Sequence, residues 1–243
     1  MSPDRTDLAA LRRRLAPLER TAWLPELADG EVPGRWSRLG GPAALGAGEA
    51  WPRCGNCDVP IPLFVQLAAA ELPEPFASAL AGGVLQLFYC TNTAPLCESV
   101  CHAFFPHARS TLLRLVARDA LAEPAPGGTA PGFPGRAVTG WTPATDLPGW
   151  EEAQALGVEL SDDEADALAD GDLPHAGEKL GGWPLWVQSV EYPSCRRCGA
   201  VMRLLFQVDS ERGVPWMFGD AGVGHITQCP EHPDELAFGW ACG

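Results

Sequence analysis

The sequence predicts a β-rich α+β fold in which two internally duplicated halves, each with short helices and a cysteine knuckle, pack about a pseudo-twofold axis. Three observations predict it. Short apolar runs are broken throughout by glycine and proline, which number 27 and 24 among 243 residues, so strands are short and turns many. A shift of 141 residues matches the two ends of the chain without a gap. Each matched segment carries a Cys-x-x-Cys pair.

The elements follow in chain order. Residues 7–20 read as an amphipathic helix with Leu8, Leu11, Leu15 and Leu18 on one face and Arg12, Arg13, Arg14 and Arg20 among the remaining positions. Pro17 ends or kinks it, and residues 1–34 form this helix and a lead-in. Residues 35–120 are the first half. Within it Leu63–Leu67, Val84–Tyr89 and Leu112–Val116 read as strands. Residues 121–174 are a connector. Its first part, 121–149, is rich in proline and glycine without periodicity and reads as loop. Its second part, 151–172, holds nine acidic residues and no lysine or arginine. There Ser161 and Glu164 fit a capping box, so a short helix starts near Asp162. Residues 175–243 are the second half, where Phe218–Gly224 reads as a glycine-rich turn entering a strand at His225–Gln228. Asp220 is placed to cap backbone amides in that turn.

The repeat is concentrated in positions 39–67. Leu39, Gly40, Gly41, Pro52, Cys54, Cys57, Leu63 and Gln66 fall on Leu180, Gly181, Gly182, Pro193, Cys195, Cys198, Leu204 and Gln207, and further on Gly83 falls on Gly224. Unrelated pairing at average composition gives about two identities over such a stretch. The unit so copied is a Gly-Gly turn, a cysteine knuckle, a strand, a loop and a second strand.

Two residues between cysteines let both thiolates reach one metal, and Gly199 after the second pair permits the left-handed backbone that closes such a turn. Thioredoxin-like redox sites share the spacing, but they place the pair at a helix start, whereas each pair here precedes a strand-like run. Each also has distal partners about thirty residues on. The first site is Cys54, Cys57, Cys90 and Cys97; the second is Cys195, Cys198, Cys229 and His232. Four ligands close each site, as structural zinc prefers, so two zinc ions are expected. Cys101 or His102 could replace Cys97, and Cys242 could replace His232.

The formal net charge is −14, from 17 basic and 31 acidic residues. Phosphate binding needs a basic footprint, so nucleic acid is not an expected partner. An acidic surface attracts basic proteins, and the 151–172 segment is a candidate dock for one. No secretory signal and no membrane span is read, which places the cysteines in a reducing cytoplasm. No Gly-x-Ser-x-Gly elbow, His-Glu-x-x-His or phosphate loop occurs.

Lys179-Leu180-Gly181-Gly182-Trp183-Pro184, the second knuckle, Leu205-Phe206-Gln207, Phe218–Gly222 and the closing Phe238-Gly239-Trp240-Ala241-Cys242 resemble the bacterial YwqG-like family, a domain family of unknown function. The paired cysteines and Leu-Gly-Gly starts also resemble the programmed cell death protein 2 family. Together the resemblances cover roughly 35–116 and 175–243. The first implies a duplicated β-rich fold without established catalytic residues. The second implies zinc binding and a chaperone role towards a basic ribosomal protein, although the zinc-finger insertion of some eukaryotic members is lacking here. The expected function is therefore a non-catalytic, zinc-stabilised protein-binding module, chaperone-like or neutralising towards a basic protein. The alternative is an enzyme, hydrolytic or thiol-dependent, with Asp220 or a free cysteine such as Cys101 in the groove between the halves.

Overall fold

The computed structural model describes residues 8–123 and 132–243. Among them ten strands form one sheet, all of whose pairings are antiparallel. The strands are β1 (Arg20–Asp29), β2 (Arg38–Leu39), β3 (Leu63–Ala68), β4 (Val84–Tyr89), β5 (Thr111–Val116), β6 (Arg136–Asp146), β7 (Lys179–Gly181), β8 (Arg203–Asp209), β9 (Val223–Gln228) and β10 (Leu236–Ala241). The helices are short: α1 (Leu8–Leu15), α2 (Phe76–Ala79), α3 (Cys97–Val100), α4 (Trp150–Ala155) and α5 (Asp162–Asp170). None is long and apolar enough to cross a membrane.

The spatial order is β10-β9-β8-β7-β1-β6-β2-β3-β4-β5. The edge strands β5 and β10 come back against each other, so the sheet is nearly closed and barrel-like. The Trp240 amide donates to the Phe104 carbonyl across that seam, at 3.1 Å. Closure limits the exposed edge that would otherwise invite another chain. The interior is one apolar cluster drawn from both ends of the chain, including Leu39, Phe64 and Tyr89 with Phe206, Phe218 and Phe238. Phe64, Tyr89 and Phe218 meet ring to ring at centroid distances of 5.3–5.8 Å.

The two flanks of the sheet share their register. Arg38 and Leu39 pair with Gln66 and Val65, and Lys179 and Leu180 pair with Gln207 and Phe206. The β3–β4 ladder slips after Leu63, and the β8–β9 ladder slips after Leu204. In both flanks the Leu-Gly-Gly turn puts two successive glycines at positive φ, 68° and 71° at Gly40 and Gly41, 61° and 68° at Gly181 and Gly182. A side chain at Gly182 would also meet the Asp146 carboxylate, so only glycine fits there.

β3, β4, β5, β9 and the capped α5 lie where the sequence places them, and the Ser161–Glu164 capping box is formed. α1 is shorter than the predicted helix: it covers Leu8–Leu15, a single 3-10 turn holds Pro17, and Arg20 begins β1. Leu11 and Leu15 are buried against Leu147, Leu168 and Leu173. The 121–149 stretch is not loop throughout, because β6 occupies Arg136–Asp146 and pairs with β1 along its whole length. Pro25 and Pro143 disguise these two strands as breakers. Both prolines are tolerated because the ribbon has outer neighbours only near its ends: β7 pairs with Ala22 and Trp23, and β2 with Arg136 and Ala137. A proline nitrogen that faces outward between those ends has no ladder bond to lose.

The ribbon is fastened to β7 by a fully buried ion pair. Lys179 Nζ donates to Asp146 Oδ2 at 2.9 Å, and the amides of Trp183 and His175 donate to the same carboxylate at 2.8 and 2.9 Å. Replacing Asp146 with Ala leaves the Lys179 charge buried and unpaired, and should cost about 3–5 kcal/mol. Urea unfolding of the Asp146→Ala variant measures this; a loss below about 1 kcal/mol would show that the pair does not hold the ribbon.

Candidate metal centres

Each flank carries a cluster at the end of its hairpin. In the first, the knuckle before β3 is closed by backbone bonds: the Cys54 amide to the Val59 carbonyl at 2.8 Å, Asp58 to Cys54 at 3.0 Å and Ile61 to Pro52 at 3.0 Å. In the second, Cys195 to Ala200, Gly199 to Cys195 and Met202 to Pro193 repeat the pattern at 2.8–2.9 Å. Asp58 and Gly199 both take positive φ, 57° and 75°. The chain then runs out along one strand and back along the next, bringing Cys90 after β4 and Cys229 after β9 to the knuckles. α3 begins at Cys97 and supplies the fourth group of the first cluster, while the turn after Cys229 supplies His232.

In each cluster the four ligand atoms lie within 4.8 Å of one another, and each cluster could hold a metal ion. Sγ of Cys54 is 3.9 Å from that of Cys97, and Cys57 is 3.8 Å from Cys90. In the second cluster Cys198 is 3.7 Å from Cys229, and His232 Nδ1 is 3.9 and 3.7 Å from Cys195 and Cys229. Cys54, Cys90, Cys97, Cys195 and Cys229 are buried. Backbone amides two residues on point at sulfur: Asn56 at Cys54, Arg197 at Cys195 and Glu231 at Cys229, all at 3.4 Å. Such bonds favour the charged thiolate. Asn56 also donates from its side chain to Cys97 Sγ at 3.3 Å and is itself held by the Arg109 guanidinium. These positioning contacts were not read from the sequence; the asparagine inside Cys54-Gly55-Asn56-Cys57 was the available signal.

The thiols are driven apart in acidity. Burial raises Cys57, but hydrogen bonds from the Val59 amide, the Asn92 side chain and the Cys97 and Cys54 thiols together outweigh it and hold that thiol down at about 6. Burial pushes Cys97 up to about 11 and Cys90 higher still, reinforced by neighbouring thiols. In the second cluster burial again opposes, yet the Cys198 and Arg197 amides bring Cys195 down to about 7. The Ala200 amide favours the Cys198 thiolate, but burial together with Cys229 and Cys195 raises it overall. Hydrogen bonds thus favour the thiolate at Cys57 and Cys195, while burial and neighbouring thiols disfavour it at Cys90, Cys97 and Cys198. Soft donors at this spacing suit a thiophilic divalent metal.

The remaining candidates stand outside the clusters. The Cys101 amide donates to the Cys97 carbonyl at the end of α3, and His102 stacks near Phe104 with ring centroids 5.6 Å apart. Cys242 packs on the main core. The Phe218–Gly224 turn is closed by the Gly222 amide on the Phe218 carbonyl at 2.8 Å, with Asp220 exposed. The matched glutamines have a clear task. Gln66 accepts from the Ala44 amide at 2.8 Å and donates to the Trp36 carbonyl at 2.7 Å; Gln207 accepts from Leu185 and donates to Gly177, both at 2.8 Å. Each buried amide ties the loop that leads into its knuckle.

A family model described as "Domain of unknown function (DUF1963)" matches residues 37–238. No curated protein matches the chain.

Metal removal tests the clusters. A strong chelator should lower the melting temperature of the whole sheet, because the metal affinity of a closed site is folding energy. Cys195→Ser should lose one metal equivalent and several kcal/mol of stability, while Cys101→Ser keeps both equivalents. The raised thiols must lose protons to bind, so metal retention should increase with pH and fail on acidification. A Cys195→Ser protein with unchanged metal content and melting would exclude the second cluster as a metal centre.

Proposed function

The chain belongs to the DUF1963 family, a domain of unknown function, and we propose that it is a non-catalytic, zinc-stabilised module that binds a basic protein. The observation that carries the zinc assignment is the ligand spacing. A tetrahedron with zinc–sulfur arms of about 2.3 Å has edges of about 3.8 Å. Three sulfur–sulfur edges of the clusters measure 3.7–3.9 Å, the His232 nitrogen lies 3.7 and 3.9 Å from two sulfurs, and all the ligand atoms of a cluster lie within 4.8 Å of one another. Cys54, Cys57, Cys90 and Cys97 would hold one ion, and Cys195, Cys198, Cys229 and His232 the other. Four protein ligands fill each tetrahedron, so the ions would cross-link the chain with no position open for substrate.

We infer further that residues 35–120 and 175–243 are two copies of one unit, arranged about a pseudo-twofold axis that runs between β1 and β6. The mirrored strand order supports this reading, as do the register, ladder slips and glutamine ties of β2 and β3, which recur in β7 and β8 at a 141-residue offset, and the pairing of β4, which recurs in β9 at an offset of 139.

The partner assignment rests on charge. The net charge is −14, and Asp162, Asp163, Asp166 and Asp170 project from α5 into solvent. The resemblance to the programmed cell death protein 2 family points the same way, towards a basic ribosomal protein. Such a module would work in the cytoplasm, shielding a basic chain until its own binding site is reached.

Native mass spectrometry of the protein purified from its own host should find two zinc ions and a co-purifying basic protein. Reversing the four α5 aspartates to lysine should weaken capture about tenfold at low salt and flatten its salt dependence. Unchanged affinity at low salt would remove α5 from the interface.

A further inference from the structure

The two flanks share a register but are filled differently. In the first, Gln86 of β4 lies between Gln66 and Arg114. The Arg114 guanidinium donates to Gln86 Oε1 at 2.9 Å, pairs with Glu49 and lies 5.7 Å from the centre of the Phe88 ring. The protein thus places one of its own cations at this point. In the second flank the same register positions hold Gln207, His225 and Gly239. Glycine supplies no side chain where Arg114 stands in the other flank; the Phe104 carbonyl and Pro106 close over Gly239 instead, and a cavity of about 240 Å³ lies beside them.

The walls of this cavity are aromatic: Phe104, Phe105, Trp186, Tyr192 and Trp240 line it. The Trp186 and Trp240 N–H groups are spent on Glu152 and on the Tyr89 hydroxyl. Glu191 contributes a carboxylate, and no lysine or arginine lines the cavity. His225 takes the place of Gln86. It is only 6% exposed, and its Nε2 is buried without a hydrogen-bond partner among the described residues. Burial and the Lys179 charge keep the ring neutral, down at about 3, so its free nitrogen can accept. A buried unpaired nitrogen is costly; His225 lines the cavity, and a small shift of its ring would bring that nitrogen, now closed off from water, to a donor held there. Aromatic faces, an acceptor and a carboxylate are what a guanidinium asks for, since it stacks flat on rings and donates only at its edges.

We propose that this cavity seats an arginine side chain of the basic partner, so that the partner supplies at one end of the sheet the cation that Arg114 supplies at the other. The inference rests on the protein-binding reading and names the group recognised.

The test titrates N-acetyl-arginine methylamide into the metal-loaded protein, with the citrulline counterpart as a neutral near-isostere. Tryptophan fluorescence and the His225 imidazole resonances report binding. The arginine compound should saturate and shift His225, and the citrulline compound should bind about tenfold more weakly. Trp186→Leu should weaken the arginine compound by about tenfold. Trp186 also packs on His225, so Phe105→Ala is the second variant; Phe105 is 58% exposed and its loss leaves folding intact. Equal binding of the two compounds, unmoved His225 resonances or a neutral Phe105→Ala variant would each overturn the proposal. If the basic protein is captured with equal affinity by wild type and both variants, the cavity fails and the partner reading stands. If the arginine compound binds selectively but no basic protein is captured, the cavity stands and the partner reading fails.

Discussion

Four ligand atoms within 4.8 Å of one another, most of them sulfur and most of them buried, set the terms for the rest of this molecule. The protein's own contacts favour one thiolate in each cluster, and each cluster could hold a metal ion. Each cluster sits where a hairpin leaves and re-enters the sheet, at Cys54 to Cys97 and at Cys195 to His232. Closing loops of that length fixes strand ends that turn-rich sequence would leave loose. Gln66 and Gln207 tie the loops beside β3 and β8 from the inside, and a metal in each cluster would hold the same hairpins from the outside. A slip of one residue would turn Phe64 or Phe206 out of the core and pull each knuckle from its distal partner.

A frame this regular makes its departures informative. The central ribbon of β1 and β6 pairs with β2 on one side and β7 on the other, and on the β7 side the buried Asp146–Lys179 pair secures it. At the outer positions, Arg114 with Gln86 and Glu49 closes one flank, while Gly239 with His225 leaves the other hollow. Shared scaffold explains the fold. Unshared residues are where a specific task can reside, since nothing in the common geometry requires an aromatic cavity on one side only.

Much of this was legible in the sequence because it depends on local or repeated signals. The strand at Val84–Tyr89 is an apolar run, the α5 cap is a Ser–Glu spacing, and the two ligand sets follow from knuckle spacing plus the distance out and back along two strands. What was hidden depends on neighbours far away in the chain. β1 and β6 contain Pro25 and Pro143, which are tolerated only because β7 and β2 flank the ribbon near its ends; that cannot be known without the sheet order. Lys179 is conspicuous only beside Asp146, thirty-three residues earlier in the chain and fully buried with it. The cavity was invisible for the same reason. Gly239 is an ordinary strand glycine until its register partner His225 is set against the Gln86–Arg114 pair.

The acidic surface and the aromatic cavity would act at different ranges. In physiological salt, charges on α5 act over about 8 Å, so they can raise the encounter rate of a basic chain without distinguishing lysine from arginine or one basic segment from another. Discrimination needs groups out of water, where a cation must exchange its hydration for specific contacts. Glu191 at the mouth, ring faces around it and the unpaired His225 nitrogen meet that need for a planar guanidinium better than for a compact, strongly hydrated ammonium. A module built this way would tolerate loss of individual surface charges, because many contribute to steering. It would be sensitive to single substitutions in the cavity wall, because the contacts that select there are few.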